Sequence, residues 1–213
     1  MNTQDLVTQL ARSGAAVDHR AGRRRFWSPL AIAAVASIVL VLASVGPRAD
    51  WRDATGLPMF CLKIAFPAAT ALAASMLLND LGHPGARIRT ATALVALPTA
   101  LVWTMAAAAL AAALPADRAE LVLGHSWLKC LISVPALSVP AFVLALVAAR
   151  SLAPTRLALT GAVAGLVAGA AAAAGYALHC DEMQAPFLAV WYVLGMLVPA
   201  ACGWLAGPRL LRW

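Results

Sequence analysis

The stretch LALTGAVAGLVAGAAAAAGYA, residues 157–177, decides the fold, because it carries no charged side chain. A helix needs about 20 apolar residues to cross a hydrocarbon layer about 30 Å thick, since lipid cannot hydrogen-bond an exposed backbone. The stretch has that length and that character. We therefore expect residues 157–177 to form one membrane-spanning helix.

Further apolar runs of similar length lie on both sides of this stretch. Short segments with Arg, Asp, His and Pro separate them, as consecutive helical hairpins require. The runs cover residues 28–45, 60–78, 91–114, 131–149 and 187–205. The sequence thus predicts an all-α, polytopic membrane protein. Residues 28–213 form a bundle of six transmembrane helices, and residues 1–27 form an amino-terminal tail.

The overall composition agrees with a membrane protein and excludes a soluble domain. Hydrophobic residues make up 62% of the chain, charged residues only 12%, and the mean hydropathy is +0.82. A net charge of +7 is compatible with nucleic-acid binding, but the Arg residues are scattered over short segments rather than gathered on one polar face. The basic charge therefore indicates membrane topology.

The distribution of Lys and Arg predicts the orientation of the bundle. Eleven of the 16 lie in the two tails and in the second and fourth loops, and five lie in or beside the first, third and fifth loops. Loops rich in Lys and Arg stay in the cytoplasm. We therefore expect both termini to be cytoplasmic and the first, third and fifth loops to face outward.

Two features within the spans predict local packing. Gly161, Gly165 and Gly169 recur every four residues and form a smooth face against which a neighbouring helix can pack closely. Lys63 lies about one turn inside the second span. We expect its ammonium to snorkel outward or to pair with an acid from an outer loop.

Topology sorts the four cysteines by depth. Cys61, Cys130 and Cys180 lie at the outer edge of the membrane, whereas Cys202 lies deep in the last span, toward the cytoplasm. The chain has no CxxC motif, which weakens the case for a thioredoxin-like redox site and for a compact zinc site.

Cys130 and Cys180 bracket the hairpin formed by the fourth and fifth spans, at the same outer level. They are therefore within plausible reach of a disulfide or of a shared ligand. Candidate metal ligands beside them are His125, His179, Asp181 and Glu182. Such a set suits a soft metal ion, or a thiol pair that is oxidised in a periplasm-like compartment. The alternatives are a structural disulfide and unrelated small hydrophobic residues at a membrane edge.

The amino-terminal tail contains a short amphipathic pattern. Thr3 is a candidate cap, and Ser13-Gly14 is expected to end the helix. The apolar residues on one side are Leu6, Val7, Leu10 and Ala11. A helix this short is unstable alone, so it is expected to order against a partner or the membrane. The alternative is a frayed tail whose Arg cluster anchors the first span.

Several motifs together resemble one known family, the NrsF family of six-span anti-sigma factors. The resemblance is strongest in HCDE at 179–182, PFLAVWY at 186–192 and GPRLLRW at 207–213. Asp5-Leu6-Val7 with Leu10 is similar to the short cytoplasmic motif of the family, and Cys130 after Trp127 is similar to its other cysteine.

This resemblance implies a multi-pass protein of the bacterial inner membrane that restrains an extracytoplasmic-function sigma factor. The tail, through Asp5, Leu6, Val7 and Leu10, would bind the sigma factor. Cys130 and Cys180 would sense heavy metals or oxidants and trigger its release. The implied partners are the sigma factor and the lipid bilayer, with no direct contact to nucleic acid. No resident cofactor is implied, only a transient soft metal ion at the two cysteines.

Other classes of function receive less support from the residues. A thiol oxidoreductase that passes electrons to quinone needs an exchanging cysteine pair, usually closely spaced. A small transporter is supported only by Lys63 and by prolines within the spans, which lack intramembrane acids. No hydrolase triad, phosphate-binding glycine loop or metalloprotease motif is present. We therefore expect a regulator and not an enzyme.

Overall fold

The computed structural model describes residues 2–13, 19–47, 58–83, 85–86 and 88–212. In these residues the secondary structure is helical and contains no strand. The helices are α1 Thr3–Ser13, α2 His19–Ser44, α3 Pro58–Leu81, α4 Ile88–Ala112, α5 Arg118–Leu123, α6 Trp127–Arg150, α7 Leu157–Tyr176 and α8 Ala185–Leu210.

Six of these helices are long and apolar enough to cross a membrane, namely α2, α3, α4, α6, α7 and α8. They coincide with the six predicted apolar runs, so the prediction of an all-α, six-helix bundle is confirmed. The first of these six, α2, begins at His19, well before the apolar run that starts at residue 28. The division between residues 1–27 and 28–213 therefore falls inside α2, and it stays a prediction.

Helix α7 lies at the centre of the bundle. It packs against α2, α3, α6 and α8, while α4 lies at the rim and contacts α3 and the start of α8. Small residues make the central position possible, because α7 consists largely of Ala and Gly. Large apolar side chains instead cover the outside of the bundle, as at Ile32, Leu97 and Leu205. An exposed apolar surface of this kind suits lipid as the surrounding solvent.

The glycine face of α7 packs against α8, as the sequence predicts. A Cβ atom added at Gly161 would lie far below 3.0 Å from the carbonyl oxygen of Gly203, and one at Gly165 would clash in the same way with the carbonyl of Pro199. Gly203 in turn has no room for a side chain beside Gly161. The two helices are therefore in backbone contact, which only glycine permits at these positions.

Replacing Gly161 with Val is expected to destabilise the bundle, because the added atoms meet backbone that cannot move aside. Overpacking costs about 1–3 kcal/mol, which lowers the melting temperature of a chain of this size by about 2–4 °C per kcal/mol. Thermal unfolding of the purified protein in detergent measures the change. The matched control is Gly22→Val, because a Cβ at Gly22 meets nothing within 4 Å. Equal melting temperatures for the two variants would contradict the close α7–α8 contact.

The bundle has two distinct ends, which we name by what they hold. The terminal end contains the start of α2 and the end of α8, because Phe26 and Leu211 belong to one buried cluster. There the Arg150 guanidinium donates to the carbonyl oxygen of Leu210, with a distance of 2.8 Å from Nε. The cysteine end is the opposite one and contains Cys130 and Cys180. The start of the first long helix and the end of the last one lie at the same end of the bundle because the number of long helices is even.

Helix α8 contains a π-helical turn over Leu188–Tyr192. Such a turn holds one more residue than an α-helical turn, so it changes the directions in which the following side chains point, and it is frequent at functional sites. The turn lies near the cysteine end and includes the two aromatic residues Trp191 and Tyr192. The sequence pattern did not predict it.

The predicted tail helix is present as α1. It begins at Thr3 itself, so the assignment of Thr3 as the cap was wrong by one residue and Asn2 precedes the helix. Leu6 and Val7 are 41% and 59% exposed. The side chain of Leu10 and the residue Gly14 lie outside the part of the chain that the structure describes.

Candidate functional site

The two predicted thiols meet at the cysteine end. Cys130 lies in the first turn of α6 and is fully buried, and Cys180 follows the end of α7 and is 3% exposed. Both belong to the same buried cluster. No disulfide joins them in this structure. The structure therefore places the two cysteines that the predicted topology selected in one buried cluster.

The backbone after α7 positions Cys180. The amide of Cys180 donates to the carbonyl oxygen of Tyr176 over 3.0 Å, which closes the last turn of the helix. Residues 180–184 then run without helical structure to the start of α8. We name residues 180–184 the α7–α8 link. Backbone carbonyls in such a segment have no helical partner and need other donors.

Lys63 supplies these donors from a neighbouring helix. Its Nζ donates to the carbonyl oxygens of Cys180, over 2.5 Å, and of Glu182, over 2.6 Å. The side chain is fully buried, and Nζ lies 5.9 Å from the centre of the Tyr192 ring. Of the two alternatives predicted for Lys63, exposure of the ammonium to solvent is not observed, because the side chain is buried, and pairing with an acid stays a prediction. The lysine instead reaches the acidic link through the backbone of the link.

Glu182 joins the link to the start of α6. Its Oε1 accepts hydrogen bonds from the backbone amide of His125, over 2.7 Å, and from the hydroxyl of Ser126, over 3.3 Å. The carbonyl oxygen of Ser126 in turn accepts from the amide of Cys130 over 3.0 Å. Glu182 is thus connected to the backbone of Cys130 through Ser126, and to the backbone of Cys180 through Lys63.

The π-helical turn completes the surroundings of the thiols with aromatic rings. The indole Nε1 of Trp191 donates to the carbonyl oxygen of Val122 over 2.8 Å, and its ring centre lies 4.9 Å from that of Trp127. Tyr192 is fully buried, and its ring centre lies 6.4 Å from that of Tyr176. The hydroxyl of Tyr192 has no hydrogen-bond partner of good geometry among the described residues, and it interacts electrostatically with Cys180.

The predicted metal ligands line one cavity of about 360 Å³ beside Cys180. Its lining comprises His125, Ser126, Lys129, Tyr176, His179, Cys180, Asp181 and Glu182. Nδ1 of His179 lies 3.0 Å from the carbonyl oxygen of Gly46, and His125 is exposed, with Nε2 4.0 Å from a carboxylate oxygen of Glu120. The predicted metal ligands therefore line the same cavity, although several of them also contact other residues of the chain.

No group of three or more His, Cys, Asp and Glu side chains in the described ranges is arranged to hold a metal ion. The two thiols are the soft donors of the predicted set. Thiolates are the ligands that soft ions such as Cu(I) prefer. A metal at Cys130 and Cys180 stays a prediction, as do the roles of His125, His179, Asp181 and Glu182.

The other two cysteines lie outside the buried cluster. Cys61, in the first turn of α3, and Cys202, within α8, are both exposed on the surface of the bundle. Neither contributes to the cavity beside Cys180. They therefore serve as controls for experiments on Cys130 and Cys180.

Comparisons with known proteins agree with the motifs. The family described as negative regulator of sigma F, NrsF, matches residues 10–213. The chain is 40% identical to the probable anti-sigma-F factor NrsF of Azospira oryzae and 33% identical to the anti-sigma-F factor NrsF of Caulobacter vibrioides, over the full length of each. Both names describe a regulator rather than an enzyme. No solved structure matches the chain.

Proposed function

Because the chain belongs to the family of negative regulators of sigma F, we propose that it is a membrane-embedded anti-sigma factor with a thiol sensor. It holds an extracytoplasmic-function sigma factor at the cytoplasmic face of the bacterial inner membrane. Reaction of Cys130 and Cys180 with a soft metal or an oxidant releases the sigma factor.

One structural observation carries this proposal. Two buried thiols, one in α6 and one in the α7–α8 link, belong to one cluster at one end of the bundle, while an exposed amphipathic helix, α1, is connected to the opposite end. Only residues 14–18 separate α1 from α2, and n residues span at most about 3.3–3.6 Å × n, so α1 stays near the terminal end. The proposed sensing group and the proposed docking group thus lie at opposite ends of the bundle, which supports the proposal.

The tail offers a surface for the sigma factor. Leu6 and Val7 are exposed on α1, where the bundle does not cover them. An amphipathic helix can place such residues in an apolar groove of a partner, which orders the helix on binding. Asp5, in the first turn of the same helix, is available for a polar contact. The partner in this proposal is the sigma factor, and DNA is reached only through it.

Two reactions can join the thiols. In the first, an oxidant takes two electrons while both thiols lose a proton and form a disulfide. In the second, both thiols lose a proton and bind one soft metal ion, which is the signal and not a resident cofactor. Each reaction draws the start of α6 toward the end of α7. A thiol oxidoreductase is less well supported, because a reducing partner protein would need access to thiols that are buried.

The orientation is tested by reporter fusions. Fusions after Asp50, Glu120 and Asp181 are expected to report the outer compartment, and fusions after His83 and Trp213 the cytoplasm. The physical reason is the excess of Lys and Arg on the side of the two tails. Activity of an alkaline phosphatase fused to each position measures the outer location. An outer location of Trp213 would contradict an even number of spans.

The function itself is tested in a strain that carries the sigma factor and a reporter gene under its promoter. The full chain is expected to keep the reporter silent and to hold the sigma factor in the membrane fraction. Addition of a soft metal salt or a thiol oxidant is expected to activate the reporter. A reporter that is equally active with and without the chain would contradict the proposal.

A further inference from the structure

Lys63 has a position that anti-sigma activity alone does not explain. An ammonium group is costly to bury unless its donors are satisfied, and Lys63 is fully buried among apolar helices. Its Nζ donates to two carbonyl oxygens of the α7–α8 link, those of Cys180 and Glu182. Hydrogen bonds from a charged donor are roughly twice as strong as neutral ones. The lysine therefore fixes the backbone of the segment that carries Cys180.

Glu182 fixes the other side of the same segment. Its carbonyl oxygen accepts from Lys63 of α3, and its carboxylate accepts from His125 and Ser126 at the start of α6. The residue thus connects two helices through two different groups. Gly124 lies against it, since a Cβ atom there would approach the carboxylate within 2.8 Å. The absence of a side chain at residue 124 leaves room for the carboxylate to reach the amide of His125.

The chain of contacts connects the backbones of the two cysteines. It runs from Lys63 to the link, and from Glu182 to the start of α6, where Ser126 accepts from the amide of Cys130. Lys63 and Glu182 are also within electrostatic range of the Cys130 thiol. Three helices, α3, α6 and α7, are therefore held together at the point where the cysteines are buried.

We propose that Lys63 and Glu182 form a clasp that keeps Cys130 and Cys180 covered, so that a thiol reagent reaches the pair only when the clasp opens. The proposal rests on the proposed function, in which these thiols are the sensor. In this proposal both residues have a positioning role. The clasp sets the threshold at which the thiols respond to a reagent. It also gives Glu182 a role that needs no metal.

The test measures how fast the two thiols react. The protein carries Cys61→Ser and Cys202→Ser, so that only Cys130 and Cys180 can be labelled, and it is purified at full length in lipid nanodiscs. A water-soluble maleimide is added, and intact-mass spectrometry follows the number of labels with time. Lys63→Met, which keeps the length of the side chain but removes the donor, is expected to label at least tenfold faster than the parent. Glu182→Ala is expected to label faster by a similar factor.

Conservative and matched variants separate the clasp from a general loss of structure. Glu182→Gln keeps an oxygen that can accept from His125, so its labelling rate is expected to stay within threefold of the parent. Lys129→Met removes an exposed lysine from the lining of the same cavity and is expected to leave the rate unchanged. The double variant Lys63→Met, Glu182→Ala is expected to label no faster than the faster single variant, because both changes open one clasp.

Several results would overturn the clasp. An unchanged rate for Lys63→Met would show that the lysine does not cover the thiols, and a slower rate would show that it promotes their reactivity instead. Additive effects in the double variant would indicate two independent defects. If Lys63→Met fails to give a monodisperse protein, Glu182→Ala decides the question, because it leaves the buried lysine in place.

The labelling assay contains no sigma factor, so the two proposals fail separately. Slow, clasp-dependent labelling in a protein that does not regulate a sigma factor would refute only the proposed function. Parent-like labelling of both single variants in a protein that does regulate it would refute only the clasp.

Discussion

Replacing Leu6 and Leu10 together with Asp is expected to switch on the sigma-dependent reporter in the absence of any stress. The sequence pattern predicts both residues on the apolar side of the tail helix, and burying one leucine contributes about 1.5–3 kcal/mol. Loss of both contributions weakens binding of the sigma factor more than about a hundredfold, since each 1.4 kcal/mol is tenfold. Reporter activity and the amount of sigma factor in the membrane fraction measure the effect.

A matched control carries the same added charge on the polar side of α1. Thr8→Asp together with Gln9→Asp is expected to leave the reporter silent, because these residues lie away from the apolar side. Immunoblots of the membrane fraction establish that each variant is inserted. An inserted Leu6→Asp, Leu10→Asp protein that still represses would place the docking surface elsewhere, with residues 80–89 as the next candidate.

Replacing Cys130 or Cys180 with Ser is expected to abolish induction by a soft metal or a thiol oxidant. Moving a two-state equilibrium from about 1:99 to 99:1 requires about 5.5 kcal/mol. A disulfide or a metal held by two thiolates can supply this free energy, whereas a single surface contact cannot. Because the two thiols act as one unit, the double variant is expected to be no worse than either single variant. Dose–response curves of the reporter measure the loss.

The remaining cysteines are the controls for this experiment. Cys61→Ser and Cys202→Ser are expected to respond nearly as the parent does, because both residues are exposed and lie outside the buried cluster. Repression of the reporter in the unstressed cell is the second measurement, and every variant must retain this repression. A normal response of the Cys130→Ser, Cys180→Ser double variant would refute the sensor and return both cysteines to a structural role.

The sequence was sufficient for the helices and for the placement of Cys130 and Cys180 at one end of the bundle. Length and apolarity are local properties, and lipid permits only fully hydrogen-bonded spans, so six apolar runs led directly to six helices. Connectivity then placed Cys130 and Cys180 at the same end of a hairpin. The prediction of a glycine face on α7 was also correct, because residues four positions apart lie on the same side of a helix.

The details of the site depended on tertiary contacts and could not be read from local patterns. Lys63 was expected to snorkel outward or to pair with an acid from an outer loop, and the sequence contained no sign of the carbonyl oxygens of the α7–α8 link that accept from it inside the bundle. Glu182 stays a predicted metal ligand, and its hydrogen-bond donors, which the sequence did not indicate, come from residues more than fifty positions away. The π-helical turn at Leu188–Tyr192 is also set by packing and left no periodic signal.

The start of α2 shows a different limit of the sequence pattern. Apolarity marks where a helix enters lipid, not where it begins, and Arg and Ala are good helix formers outside the membrane. The helix therefore extends back through the Arg cluster to His19. As a result, the segment between α1 and the membrane is mostly helical, and only a short connection separates α1 from the bundle.

The most direct test of the account is the binding of the sigma factor to the full chain in lipid nanodiscs, before and after the thiols react. We predict that the untreated protein retains the sigma factor and loses it after treatment with the thiol oxidant diamide. The Cys130→Ser, Cys180→Ser variant is predicted to retain it under both conditions. Failure of the untreated protein to bind the sigma factor, or equal loss from the parent and the cysteine variant, would contradict the account.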